Sequence, residues 1–411
     1  MTGFFRLSDM TRVRKAVEEA LWGMCVGDAM SMPVHWYYNV RDIKEDFNGW
    51  ISRYQAPKNR HPSSIMTLSN SAGSGRTSHS NGSQLPVVGN IILHDKLKYW
   101  KTSEGSVHYH QGLQAGDNTL NVLCALKAAR TLTEGQFRMV NEEGARAAVL
   151  SDYVHFMTTP GSHEETYAES FHRSFFADWQ EHKPVSPSKI LEFAVNRCRR
   201  KMRASHPDSQ LDAIGCLPMA IPFILLSATE EQDQAVTAAV ELVRLTHPHP
   251  KLDECVTLYA RTLHAVLNGA CLRQQAKAAL RCPVLDAWET CLPYIDRAAR
   301  SPEERLGVHQ TAVASLGLAC YMKGALSSLF YLAYEYYDDF SGGILANTNC
   351  GGENCNRGAA LGALLGAASV HQGGPIPQAW KGGLVTACSQ VTQILTTAGM
   401  KKDGPSVRTS D

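Results

Sequence analysis

Apolar and small residues recur at helical spacing along most of the chain. Over 8–29, Val13, Ala16, Val17, Ala20, Leu21, Met24 and Cys25 fall on one face, with Ser8 or Thr11 placed to cap the start. The same period predicts helices over 120–129, 144–156, 188–203, 230–245, 253–268, 274–280 and 289–297. The stretch 216–226 is apolar all round and carries Pro218 and Pro222, which predicts a buried, kinked helix. A long apolar run over 311–337 is interrupted by Gly324 and reads as two helices broken there. Strand signals are few and no repeat of fixed period is visible. The expectation is an all-α fold forming a single domain over 1–400.

Two stretches depart from the helical pattern. Residues 37–115 are rich in turn formers and aromatics, and read as a loop-rich insertion near the site. Within them 69–83 is rich in Ser, Gly and Asn, which suits either a lid or wall over a ligand or a disordered surface loop. The polar residues 401–411 read as a disordered tail.

Composition narrows the function classes. Forty Lys and Arg stand against 39 Asp and Glu, a formal net charge of +1, so bulk charge points to neither nucleic acid nor a membrane surface. No apolar run is long enough to span a bilayer, and residues 1–18 lack the apolar core of a signal peptide. The 12 cysteines sit singly in apolar stretches, as reduced thiols of a cytoplasmic protein do. A small-molecule substrate is the partner this leaves, with oligomeric state open.

The candidate chemistry gathers where helices begin. Gly351, Gly352, Glu353, Asn354, Cys355, Asn356 and Arg357 lead into the small, apolar run 358–367. A helix start offers free N–H groups and the positive end of the dipole, and glycines let backbone approach a ligand. Gly116, Asp117, Asn118 and Thr119 open the helix predicted at 120 in the same way. Asp28 follows Gly27 at the end of the first helix. His108 and His110 alternate and would share one face of an extended segment.

Taken in order, these stretches resemble the ADP-ribosylglycohydrolase (DraG-like) family, which also includes a lens crystallin. Gly27-Asp28-Ala29-Met30-Ser31-Met32-Pro33 resembles the family's G-D-A-x-G-x-P. Gly116-Asp117-Asn118-Thr119 stands where the family has T-D-D-T, and Thr246-His247-Pro248 matches its T-H motif. Gly351-Gly352-Glu353-Asn354-Cys355-Asn356 stands where it has G-G-D-T-D-T, followed by Gly366-Ala367, Ile376-Pro377 and Trp380. The resemblance covers roughly 10–385 and implies an orthogonal helical bundle with a dinuclear magnesium or manganese site that binds the ribose of ADP-ribose.

The departures fall on the implied metal ligands. The family's Thr is Gly116, its second Asp is Asn118, the Asp of G-G-D is Glu353, and the following Asp is Cys355; a glutamate-like position is His35. Two magnesium ions want hard, mostly anionic oxygens, and only Asp117 and Glu353 remain as carboxylates. A full dinuclear site is therefore not expected, and at most one divalent cation, such as magnesium, on Asp117, Asn118 and Glu353.

Three readings follow. In the first, a hydrolase cleaves a glycosidic, N-ribosyl or related bond of a small metabolite or ADP-ribosyl group, with Asp117 and Glu353 as acid/base pair. Cys355, near a helix start, would be a thiolate nucleophile with His35 or His108 as its base. Asp28, His108, Asn118, Thr119, Asn356, Arg357 and the Gly351 and Gly352 amides would bind substrate. The second reading is a standard ADP-ribosyl hydrolase with an altered metal set. The third is a non-catalytic ligand-binding or structural relative.

Overall fold

A computed structural model describes residues 7–66, 87–100, 106–135 and 137–399. The 69–83 stretch and the 401–411 tail lie outside them. Among the described residues there are 17 α-helices and no strand, only three isolated bridges. The fold is all-α, as the periodicity predicts. No helix of the described residues is long and apolar enough to cross a membrane.

The central pair is α1 (Leu7–Ser31) and α15 (Asn354–Gln372). Glycines at every fourth residue on each helix remove the side chains between them. A methyl group on Gly23 would collide with the Gly362 carbonyl, one on Gly27 with the Gly358 carbonyl, and one on Gly366 with the Glu19 carbonyl. As one helix ascends from 19 through 23 to 27, the other descends from 366 through 362 to 358, so the two run antiparallel in near-backbone contact. This fixes which ends meet: the N-terminus of α15 lies beside the C-terminus of α1.

Around this pair, α7 (Cys216–Leu226), α9 (Leu252–Leu267), α13 (Met322–Glu335) and α14 (Phe340–Asn349) complete one hydrophobic cluster. A second cluster gathers α3 (Leu120–Glu134), α4 (Glu143–Thr158), α5 (Ser170–Trp179) and α6 (Pro187–Met202) with Trp36, Trp100 and Tyr109.

Two expectations change. The break in the 311–337 stretch falls at Gly317, with φ 145°, between α12 (Arg305–Leu316) and α13, while Gly324 lies inside α13. Gly324 is small for packing: a Cβ there would sit 2.8 Å from the Leu316 carbonyl oxygen. The helices α5 and α14 carry no clear sequence signal; α14 contains two glycines and two asparagines, and burial against α15 holds it helical despite that composition.

The α1–α15 contact generates a stability prediction. Gly362→Ala forces a methyl into the Gly23 carbonyl and should destabilise the fold by about 3 kcal/mol. Gly382→Ala, whose added methyl meets nothing within 4 Å, should change stability by less than about 0.5 kcal/mol. Urea midpoints of the two variants check this; equal midpoints would contradict the close contact.

Candidate active site

The turn ahead of α15 is shaped by backbone pairing. Gly351 and Gly352 adopt φ 66° and 64°, and a side chain on them would strike the Tyr37 and Leu318 carbonyls. The Gly352 N–H donates to Tyr37 O and the Trp36 N–H to Gly352 O, both at 2.8 Å. Glu353 N donates to Leu318 O at 2.8 Å and Gly351 N to Thr348 O at 3.2 Å. The glycines thus admit protein backbone, and their amides are spent on it; the expectation that they bind substrate is corrected. Arg357 is fully buried, with Nε on Asn347 Oδ1 at 2.7 Å, Nη2 on Gly351 O at 2.9 Å and Nη1 without a partner among the described residues.

Glu353 caps α15 from a fully buried position. Its Oε1 accepts from His35 Nε2 at 2.9 Å and Asn356 Nδ2 at 2.8 Å, and its Oε2 from the Trp36 indole at 2.7 Å. Burial pushes this carboxyl up, but the neighbouring His35 and these bonds outweigh it and hold Glu353 below the usual glutamate value. Trp36 accepts a left-handed φ of 62° to make its two bonds to this turn.

The chain of bonds continues outward on both sides. On one side His35 Nδ1 faces His110 Nε2 at 2.7 Å, and His110 Nδ1 meets both oxygens of Glu165 at 2.9 and 3.0 Å. Glu165 is fully buried; burial raises it, yet His110 and the Thr166 and Tyr167 amides hold it low. Two ionised carboxylates therefore flank two imidazoles that share one proton between facing nitrogens. Burial pushes His35 below the usual histidine value.

On the other side Asn356 Nδ2 also donates to Glu169 Oε1 at 2.7 Å, so one amide nitrogen bridges two carboxyl groups. Asn121 Nδ2 donates to the same Oε1 at 2.7 Å, and Asn121 Oδ1 accepts from His172, which in turn meets the Tyr153 hydroxyl at 2.7 Å. Burial, and then the negative charge of Glu353, push Glu169 up to about 8, against the pull of the two amide bonds. Glu169 is protonated at neutral pH while Glu353 is ionised. Both amide bonds land on Oε1, which leaves Oε2 to carry the proton.

Glu169 also lines a cavity of about 90 Å³ walled by Trp36, Trp100, Tyr109 and Tyr167. Buried Arg173 lines it too. Its guanidinium lies 5.5 Å from the Trp100 ring, and its Nε has no partner among the described residues.

The remaining residues singled out in the sequence divide. Asp28, Asn118 and Thr119 come together: fully buried Asp28 accepts from Asn118 Nδ2 at 2.8 Å and from Thr119 N and Oγ1, each at 2.7 Å. Burial raises Asp28 to about 6 against those bonds. His108 donates through Nε2 to Pro33 O at 3.1 Å and accepts the His110 N–H, so it is a buried, neutral strut and not a substrate ligand or base.

Three catalytic expectations are corrected. Asp117 is partly exposed, accepts from Gln114 N within its own turn at 2.7 Å, and lines a different cavity of about 260 Å³ with Lys127, Arg130 and Glu164. It shares no partner with Glu353, so the two do not form the acid/base pair. Glu353 itself has both oxygens occupied and no exposure. Cys355 is packed with Met32 and Leu113, and burial pushes its thiol well up, overriding the helix-start effect expected to favour a thiolate.

Glu165, Glu169 and Asn121 escape the sequence reading. The only signal is the run His163-Glu164-Glu165-Thr166-Tyr167-Ala168-Glu169, acids flanking an aromatic just before a stretch with four buried aromatics.

The family model described as ADP-ribosylglycohydrolase matches residues 9–403. The chain belongs to the ADP-ribosylglycohydrolase family. That family is hydrolytic. A solved structure described as an ADP-ribosylglycohydrolase-related protein complex is similar at 16% identity and a TM-score of 0.48, covering 95% of this chain and 99% of that one. No curated protein matches the chain.

The magnesium pair that the family resemblance implies does not fit these donors. Asp117 turns to its own loop, Asn118 gives its amide nitrogen to Asp28 and Cys25 O, Glu353 is saturated, and position 355 offers a thiol. Two magnesium ions need several hard oxygens each.

The burial of Cys355 is testable with iodoacetamide at neutral pH. Cys388, which is partly exposed, should react at least about tenfold faster than Cys355. Equal or faster labelling of Cys355, read by mass spectrometry, would restore the thiolate.

Proposed function

We propose that this chain is a hydrolase cleaving a glycosidic or N-ribosyl bond of a small metabolite or ADP-ribosyl group without a dinuclear magnesium centre. The observation that carries this reading is the pair Glu169 and Glu353, bridged by Asn356, with Glu169 at the wall of an aromatic cavity and Glu353 buried behind it; burial and the Glu353 charge raise Glu169, while His35 and its hydrogen bonds hold Glu353 low. Pushing apart the pKa values of two carboxyls is how one site supplies an acid at neutral pH.

Glu169 is the catalytic acid in this account. It donates its proton to the leaving oxygen or nitrogen as the bond to the anomeric carbon breaks. Water then adds to that carbon and returns a proton to Glu169. Glu353 is a positioning residue: buried and ionised, it keeps Glu169 protonated through its charge, against the opposing pull of the Asn356 bond. The four aromatic walls supply faces for a sugar or base ring, and the unpartnered Nε of Arg173 suits a phosphate or hydroxyl oxygen. The non-catalytic alternative is favoured by the full saturation of Glu353 and Glu165, which a rigid scaffold would also show.

Glu169→Gln decides between them. With ADP-ribose, ADP-ribosylated arginine or serine peptides and nucleosides as substrates, the variant should lose 10²-fold or more in kcat, on the order expected for a general acid. Wild-type kcat should fall as pH rises through about 8, because the acid is active only while protonated. Turnover that survives Glu169→Gln unchanged would remove the assignment, and no turnover on any of these substrates would favour the silent relative.

A further inference from the structure

The two imidazoles at the centre of the buried network point ring nitrogens at each other, and a third donor stands close by. His35, His110 and Cys355 each offer one ligand atom, all within 4.8 Å of one another, and all three residues are buried. His35 Nδ1 and His110 Nε2 are 2.7 Å apart. Each ring gives its other nitrogen to a buried carboxylate, His35 to Glu353 at 2.9 Å and His110 to Glu165 at 2.9 Å. A carboxylate behind the far nitrogen of each histidine is the usual outer arrangement of a metal-bound imidazole, because it fixes the tautomer and raises ligand basicity. From this geometry we propose that His35, His110 and Cys355 form a site for one borderline divalent d-block ion, with zinc as the best fit.

The donor set selects the metal class. Two imidazoles and a thiolate suit zinc and are poor for magnesium or calcium. Tetrahedral bonds of about 2.0–2.1 Å to nitrogen and 2.3 Å to sulfur set the donors roughly 3.3–3.6 Å apart. The facing nitrogens need to separate by about 0.6 Å, and the sulfur to close from no more than 4.8 Å. Metal binding would release the proton held between the facing imidazole nitrogens and the thiol proton of Cys355. Met32 and Leu113 pack on Cys355 and keep water from the thiolate side.

Room for a fourth ligand exists beside the rings. A small cavity of about 10 Å³ is lined by His35, His110, Asn121, Glu165, Tyr167 and Glu169, about the space of one water. Three protein ligands and one water is the form of a catalytic zinc site. The proposal does not rest on Glu169 being the catalytic acid, and its test does not use turnover.

The test is metal reconstitution of the full chain. After dialysis against chelator, addition of zinc should give one tightly held ion per chain and raise the melting temperature, while magnesium at the same concentration should leave it unmoved. Cobalt(II) should give intense visible bands of a tetrahedral site with a near-ultraviolet thiolate charge-transfer band. Cys355→Ser should abolish that band, and Cys124→Ser, a buried thiol outside the cluster, should retain it. Glu165→Gln should weaken zinc binding 10–100-fold with the cobalt spectrum kept. A wild-type chain that binds no stoichiometric zinc, or whose cobalt form is pale and lacks the thiolate band, overturns the proposal regardless of how the variants fold. So does a Cys355→Ser protein with the wild-type cobalt spectrum.

Discussion

Backbone-to-backbone contact between α1 and α15 is the constraint on which the rest of the molecule depends. Glycines every fourth residue bring the two helices so close that a single methyl group has no room. Their antiparallel register then leaves no choice about which ends meet. The end of α1 presents Asp28, and the turn beyond it His35 and Trp36, to the start of α15, with Glu353 and Asn356. The left-handed glycines at 351 and 352 complete this by letting residues 36 and 37 pair directly with the turn. The site is a consequence of how the core is packed.

That packing sets the electrostatics. A carboxylate buried without partners would take up a proton. Glu353 stays ionised because an imidazole, an indole and an amide converge on it. Its charge, with burial, then raises the next carboxyl along, Glu169. The network therefore has a direction, with charge held in the interior and a proton held at the edge facing the aromatic cavity. A network of this kind leaves its members little mobility, since each side chain is fixed by at least one bond to another element.

The helical periodicity carried most of the fold: nearly every helix predicted from apolar spacing exists, within a few residues at its ends. The 311–337 stretch shows where such reading fails, because a glycine that packs and a glycine that breaks look alike until the neighbouring helix is known. The site was legible in part. Helix starts at 119 and 353 do bring Asp28, Asn118, Thr119, Glu353 and Asn356 into one buried region. The partner of Glu353 was not legible, because Glu169 reaches it from a third helix start more than 180 residues away in sequence. Asp117 looked equivalent in sequence, yet its side chain is claimed by its own turn. Cys355 shows a competition of magnitudes: a helix terminus lowers a thiol pKa, but complete burial against Met32 and Leu113 raises it more.

The central claim is the split protonation of the two carboxyls joined by Asn356. Carbon-13 NMR of protein labelled at the glutamate side-chain carboxyl measures it directly across pH 4 to 10. The account predicts one glutamate titrating near pH 8 that disappears in Glu169→Gln, alongside a glutamate at 353 that titrates below the ordinary glutamates. Titration of Glu169 with the ordinary glutamates, below about pH 5, would contradict it.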